Sequence, residues 1–136
     1  MDEIKLKRTG QLPLAFRGEL LKEEDGKWFH GKDQNRWHEI RLYRTEQSRK
    51  YILGIAYCSQ WQGEANQYDV IILGPDQGEM IAVLRNYNPV PNHIGYPKQE
   101  HYKDRQTALE SDVRRRFHTL ISDLLEDVEG AEERIE

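Results

Sequence analysis

The chain has 136 residues, of which 37% are hydrophobic and 32% are charged, and its formal net charge is −4. This length fits one domain with its own core, and the single cysteine, Cys58, excludes an intrachain disulfide. The sequence lacks the apolar segment that a signal peptide or a membrane helix requires. We therefore expect a cytoplasmic protein without membrane association, and its mild acidity gives little support to non-specific nucleic-acid binding.

Strand-like alternation occupies the first part of the chain and helical spacing the second. This segregation is typical of an α+β fold. We expect an antiparallel, meander-like sheet of about five strands over roughly residues 14–73, followed by two helices, with the long C-terminal helix packed across one sheet face. Residues 1–130 are predicted to form this single domain, and residues 131–136 a frayed acidic tail.

The five predicted strands are 14–22, 28–30, 37–44, 51–61 and 68–73. Asp25 and Gly26 predict a two-residue hairpin turn between the first two, because both central positions of such a turn need positive φ. The strand at 68–73 is apolar at nearly every position, which predicts a place in the interior of the sheet. On the long strand 51–61, small residues are predicted to let another element approach closely.

Two helices are predicted after the strands. Asp76 is a suitable N-cap, with Glu79 three residues later, and Met80 begins an apolar series at helical spacing. The final helix is predicted to begin near Asp104 or Thr107 and to carry the clearest periodic pattern in the chain. Its apolar stripe is Leu109, Val113, Phe117, Leu120, Ile121, Leu124 and Val128.

The first candidate site is the segment 57–64, which leaves the longest predicted strand and is called the rim below. It contains Gln60, Trp61, Gln62 and Glu64. A rigid aromatic side chain supplies contact area, and neighbouring amides supply directional hydrogen bonds, so the set suits recognition. The alternative is that Trp61 closes the end of the core and its polar neighbours form an ordinary turn.

The second candidate is the proline-containing connection 88–103, called the loop below, which carries His93, Tyr96, His101 and Tyr102. Structureless connections of this length are uncommon in compact domains and are often binding loops or lids. Its histidines have reference pKa values near neutrality and are candidate acid–base groups. The alternative is a proline-stiffened cover packed on the sheet.

Two further patterns combine residues of neighbouring strands. Trp37, Arg41, Tyr43 and Tyr51 mix aromatic and cationic groups on adjacent strands, as platforms for single-stranded nucleic acid do. His30 and His38 with Glu39 would begin a metal site. However, Glu39 and His38 point to opposite faces of a regular strand, so we expect no metal site.

The sequence contains none of the common local motifs for nucleotide binding, zinc binding or nucleophilic catalysis. We therefore expect no cofactor and predict a non-catalytic binding or accessory domain. It would act on a protein partner, or on a second copy of itself, through the rim and the loop. A single-stranded nucleic-acid binder and a small hydrolase, pairing His93 or His101 with Glu64 or Asp69, remain alternatives.

Overall fold

A computed structural model describes residues 2–29, 31–91, 94–97 and 99–126. The strands within these residues are β1 Asp2–Arg8, β2 Gln11–Asp25, β3 Trp28–Phe29, β4 Lys32–Asp33, β5 Arg36–Thr45, β6 Tyr51–Ser59 and β7 Gln67–Ile72. The helices are α1 Gln77–Asn86 and α2 Lys103–Leu125, with a 3₁₀ turn at Glu100–Tyr102 directly before α2. The predicted α+β fold is confirmed, and the tail predicted at 131–136 lies outside the described residues.

The five long strands form one antiparallel sheet in the order β1-β2-β5-β6-β7. The predicted interior position of the last strand is wrong, because β7 ends this order. The sheet curls until β7 approaches β1: the Thr9 amide donates to the Tyr68 carbonyl over 2.9 Å, and the Tyr68 amide donates to Thr9 Oγ1 over 2.7 Å. β7 is apolar on both faces because Ile71 packs on the core while Val70 lines the opposite face.

The N-terminal part of the sheet is larger than the sequence predicted. β2 spans 15 residues. The strand β1 was not predicted, and it pairs with residues 11–18 of β2. Charged residues surround Ile4 and Leu6 in β1, so its strand alternation was easy to miss.

The predicted hairpin turn at Asp25 and Gly26 is wrong. β2 pairs with β5, so that Asp25 lies opposite Glu39, and the short β3–β4 ribbon is an insertion between the two long strands. Gly26 is needed at this junction for space, because a Cβ there would lie 2.9 Å from the His38 carbonyl oxygen. The long-range pairing of β2 with β5 therefore overrides the local turn signal.

The two helices cover one side of the sheet, called the outer face. Its core includes Ile40 and Leu53 from the sheet, Met80 and Leu84 from α1, and Phe117 from α2. The apolar stripe predicted for the final helix is confirmed from Val113 to Leu124, whereas Leu109 is only partly buried and Val128 lies outside the described residues. Asp76 caps α1 as predicted, accepting a hydrogen bond from the Gly78 amide. Among the described residues, neither helix has the length and apolar composition needed to cross a membrane.

The other side of the sheet is called the inner face, and it carries Glu39, Arg41, Gly54, Ala56 and Cys58 on β5 and β6. As predicted, small residues on β6 permit a close approach. The Leu6 side chain of β1 lies 3.8 Å from the position of a Cβ on Gly54.

Candidate functional site

The rim is organised around the carboxylate of Glu64, which follows β6. Arg36, at the start of β5, donates from Nε to Oε1 over 3.0 Å and from Nη2 to Oε2 over 2.7 Å. The hydroxyls of Tyr57 and Ser59 both donate to Oε1, over 2.8 and 2.9 Å. The side chains of Arg36 and Glu64 are 18% and 9% exposed, so this is a buried, bidentate ion pair.

These bonds fix the charge state of Glu64. Burial by itself would raise the pKa of this carboxyl, but the hydrogen bonds from Arg36, Tyr57 and Ser59 outweigh burial and lower the pKa to about 2. The hydrogen bond to Glu64 raises the pKa of Arg36 in turn. Glu64 therefore stays ionised near neutral pH and serves as a structural anchor, which makes it a poor proton acceptor for a hydrolase.

Trp61 lies on top of this ion pair. The Arg36 guanidinium carbon is 5.1 Å from the centroid of the Trp61 ring, within cation–π distance, and the ring remains 49% exposed. Because Glu64 holds Arg36 in place, the exposed indole rests on a rigid support.

The loop contacts the rim, as the sequence suggested. The Gly95 amide donates to Glu64 Oε2 over 3.4 Å, and Gln106 of α2 holds the loop on both sides of Gly95. Its side chain accepts from the Tyr96 amide and donates to the Ile94 carbonyl, over 2.9 and 3.2 Å. Gly95 has φ of 89°, and a Cβ there would lie 2.3 Å from Gln106 Oε1, so only glycine fits.

Two of the predicted loop residues, Tyr96 and Tyr102, line a cleft of about 540 Å³ between the loop and the start of α2. Tyr96 and Tyr102 stack there with ring centroids 5.6 Å apart, and the exposed His101 ring lies 4.1 Å from that of Tyr102. His93 lies outside the described residues. Trp61 is not among the described residues that line this cleft.

Gln60 and Gln62 flank Trp61 and are exposed. The Gln60 backbone amide donates to the Asn35 carbonyl over 2.9 Å, which ties the rim to the start of β5. Both amide side chains therefore border the surface around Trp61.

Two residues near the rim were not singled out from the sequence. Arg36 lies outside the predicted strands, and Trp28 begins the short predicted strand 28–30. Trp28 is 64% exposed and, with Arg36, lines a second cleft of about 340 Å³ between the β3–β4 ribbon and α2. No local pattern could have linked Arg36 to Glu64, because only the pairing of Arg36 with Ser59 across β5 and β6 brings them together.

The second cleft also has an acidic wall formed by Glu24, Asp25 and Asp123. Burial and the neighbouring charge of Asp123 raise the pKa of Glu24. Glu24 thus has acidic neighbours in Asp123 and Glu126 and a basic neighbour in Lys22.

The four residues predicted for single-stranded nucleic-acid binding do not share one exposed surface. Tyr51 is buried in the outer-face core, whereas Tyr43 is buried on the inner face against Phe16. Trp37 donates from Nε1 to Glu39, and Arg41 pairs with Glu23 and Glu39. The aromatic and cationic groups are thus separated or already paired.

Of the histidines predicted for a hydrolase site, His101 is exposed and His93 lies outside the described residues. His38 is buried between Tyr57 and Phe117, and burial lowers its pKa to about 4. Asp69 forms a hydrogen bond with the Tyr87 hydroxyl. His30 lies outside the described residues, and in the described part of the chain no three His, Cys, Asp or Glu side chains gather as metal ligands.

Comparison of the chain with protein-family models, with curated proteins and with solved structures found no match.

Proposed function

We propose that the chain is a non-catalytic binding domain that docks a protein partner on the tryptophan surface, defined as Trp28, Arg36 and Trp61. The observation that carries this proposal is the half-exposed Trp61 ring on a guanidinium that Glu64 locks in place. The buried free thiol of Cys58 is compatible with a reducing compartment, and we include a cytoplasmic location in the proposal.

A rigid, exposed tryptophan is the type of residue that dominates binding energy at protein interfaces. Its support is already ordered before binding, so little conformational entropy is lost when a partner packs against it. Arg36 joins Trp61 to the cleft that Trp28 lines. A partner can therefore place an apolar side chain in that cleft while it covers the Trp61 ring.

The acidic wall of the cleft indicates the charge of the partner. Arg36 and Arg116 also line the cleft, but they are paired with Glu64 and Asp112. The other charged residues that line the cleft are acidic, namely Glu24, Asp25 and Asp123. We propose that the partner segment carries a basic residue beside its apolar anchor, so that added salt weakens binding.

The test compares wild-type protein with Trp61→Ala and with a matched control, Leu12→Ala. Leu12 is 82% exposed near the start of β2, whereas Arg36 begins β5 and Trp61 follows β6. Partners are captured from host extract, identified by mass spectrometry and purified, and their affinity is then measured. Sedimentation of each variant tests whether the partner is a second copy of the chain.

We expect Trp61→Ala to weaken binding at least ~30-fold, which corresponds to about 2 kcal/mol, while Leu12→Ala leaves affinity unchanged. Circular dichroism establishes that both variants are folded. The proposal would be overturned if folded Trp61→Ala bound every partner with wild-type affinity and its sedimentation were unchanged. Single-stranded nucleic-acid binding and hydrolysis are not proposed, since Tyr43 and Tyr51 lie on opposite faces and the Glu64 carboxylate is engaged by Arg36.

A further inference from the structure

The inner face of the sheet encloses a cavity of about 470 Å³ on the side away from the helices. Its floor is Gly54 and Ala56 on β6, both partly exposed, and Leu6 of β1 reaches over it. A volume of this size matches the clefts that take small molecules, and the mouths of curled sheets are common places for them.

Strand register gives the cavity two chemically different walls. One cross-strand row is Glu39, Ala56 and Tyr68, and the next is Arg41, Gly54 and Val70. In both rows a small residue lies in the middle, with a charged residue of β5 on one side and an aromatic or aliphatic residue of β7 on the other. The cavity is thus a trough with a charged wall and an apolar wall, called the inner trough.

The charged wall is ordered but has hydrogen-bonding capacity left. Glu39 Oε2 accepts from Trp37 Nε1 and from the Cys58 thiol, each over 3.1 Å, which fixes the carboxylate. The other oxygen, Oε1, lies 3.6 Å from an Arg41 nitrogen, beyond hydrogen-bond distance. The wall therefore presents an acceptor beside a guanidinium donor.

We infer that the inner trough binds a nucleotide, with the base between the two walls and the phosphate at the mouth. The edge of a nucleobase carries a donor beside an acceptor, which complements Oε1 of Glu39 and the guanidinium of Arg41. Tyr68 and Val70 supply the apolar surface that the flat ring needs. A guanidinium paired with carboxylates at 46% exposure can re-orient toward the ligand without unfolding its surroundings.

Basic residues of β1 lie where the phosphate would be. Lys5 and Lys7 both line the cavity, and the Lys7 ammonium is 5.1 Å from the centroid of the Tyr68 ring. Arg41 adds a third positive charge. The lining also holds the carboxylates of Glu39 and Asp69, so its cations outnumber its anions by three to two, which favours an anionic group next to Tyr68 and Lys7.

The experiment is a titration of the full chain, labelled with ¹⁵N, with AMP, GMP, CMP or UMP, followed by two-dimensional NMR. We expect at least one nucleotide to saturate with Kd below ~1 mM. The largest shifts are expected at amides of residues 37–41, 54–58 and 68–70. Ribose 5-phosphate, which has the phosphate but no base, is expected to bind at least ~10-fold more weakly.

Two variants at one position test the location of the site. A Cβ at Gly54 would make only ordinary contacts, the nearest at 3.8 Å, so Gly54→Ala is expected to keep binding. Gly54→Leu fills the trough and is expected to weaken binding at least ~10-fold, as is Glu39→Gln. If Gly54→Leu does not fold, Ala56→Val fills the same floor with a residue that strands favour.

Trp61→Ala is expected to leave nucleotide binding unchanged, so this inference and the proposed protein docking can fail independently. Absence of saturable shifts with all four nucleotides up to ~10 mM would overturn the inference, as would binding that Gly54→Leu leaves unchanged. If a short oligonucleotide binds at least ~10-fold more tightly than every mononucleotide, the ligand is a nucleic-acid strand and the proposal of a free nucleotide is overturned.

Discussion

Two glutamate–arginine pairs lie on opposite faces of the curled sheet, and their hydrogen bonds are satisfied to different degrees. On the outer side, Glu64 accepts from Arg36, Tyr57 and Ser59, and the paired side chains are largely buried. On the inner side, the Oε1 atom of Glu39 is 3.6 Å from Arg41, and these side chains are 26% and 46% exposed. The same residue types therefore stabilise structure in one place and leave polar atoms available to a ligand in the other.

The difference follows from what covers each face. Two helices cover the outer face, so a polar group buried there needs a partner within the chain, because an unpaired buried group is costly. The inner face is closed only by the curl of the sheet, with Gly54 and Ala56 as its floor. A cavity therefore remains on the inner face.

The largest expected effect is a difference between the two faces in how far a substitution lowers the free energy of unfolding. Phe117 is 1% exposed in the outer-face core, so Phe117→Ala should lower the free energy of unfolding by about 4 kcal/mol. Gly54→Ala on the inner face should change it by less than ~1 kcal/mol, because its Cβ fits. Urea denaturation measures both, and equal losses would show that the two faces are packed alike.

The next effect compares the two ion pairs. Glu64→Gln leaves Arg36 charged and buried, and should cost about 3 kcal/mol of unfolding free energy. Glu39→Gln, in the half-exposed pair, should cost about 1 kcal/mol or less. The same denaturation experiment measures both losses, and the contrast between the pairs fails if Glu39→Gln is the more costly change.

The outer face should also respond to acid. Burial lowers the pKa of His38 from 6.5 to about 4, so the unfolded chain binds this proton more readily than the folded one. Stability is then independent of His38 above pH 6.5 and falls as the pH drops from 6.5 to 4, by at most about 3 kcal/mol. Glu64, whose pKa is lowered to about 2, adds a further loss as the pH falls from 4.5 toward 2.

Unfolding free energies measured at pH 7, 5.5 and 4.5 test the His38 part of this prediction. His38→Gln keeps a hydrogen-bond donor near the Pro89 carbonyl but does not titrate, and its stability should vary less over this range. An identical pH profile for the variant and the wild type would exclude His38 as the source.

The smallest effect compares two arginines of α2, Arg114 and Arg116. Arg116 donates from Nη1 to the Gln34 side chain and the Arg36 carbonyl, over 3.1 and 2.8 Å. Arg116→Ala should therefore cost about 1–2 kcal/mol. Arg114 lies at the surface near Glu110, and Arg114→Ala should stay within ~0.5 kcal/mol. Thermal denaturation of the two variants distinguishes them, with Arg114→Ala as the matched control.

Patterns confined to one element predicted the fold well. The apolar stripe of α2, including Phe117 and Leu124, and the Asp76 cap of α1 depend on spacing along the chain, and both are confirmed. The opposite orientations of His38 and Glu39 followed from strand alternation alone. The turn at Asp25 and Gly26 was wrong because β2 pairs with a strand beyond the inserted ribbon.

The candidate sites were harder to predict because they depend on register. Trp61 and Glu64 were chosen for their residue types, but Arg36, which joins them, is 28 positions before Glu64. The inner trough likewise exists because Ala56 is aligned with Glu39 and with Tyr68. Composition and spacing along the chain contain no information about such cross-strand neighbours.

The central claim is that Glu64 holds Arg36 so that Trp61 is presented to a protein partner. A double-mutant cycle tests it most directly, using the affinity of the purified partner for wild type, Glu64→Gln, Trp61→Ala and the double variant, all under conditions where each is folded. The account predicts that Glu64→Gln weakens binding about 10-fold and that the double variant binds no more weakly than Trp61→Ala alone. Fully additive losses, or an affinity that Glu64→Gln leaves unchanged, would contradict it.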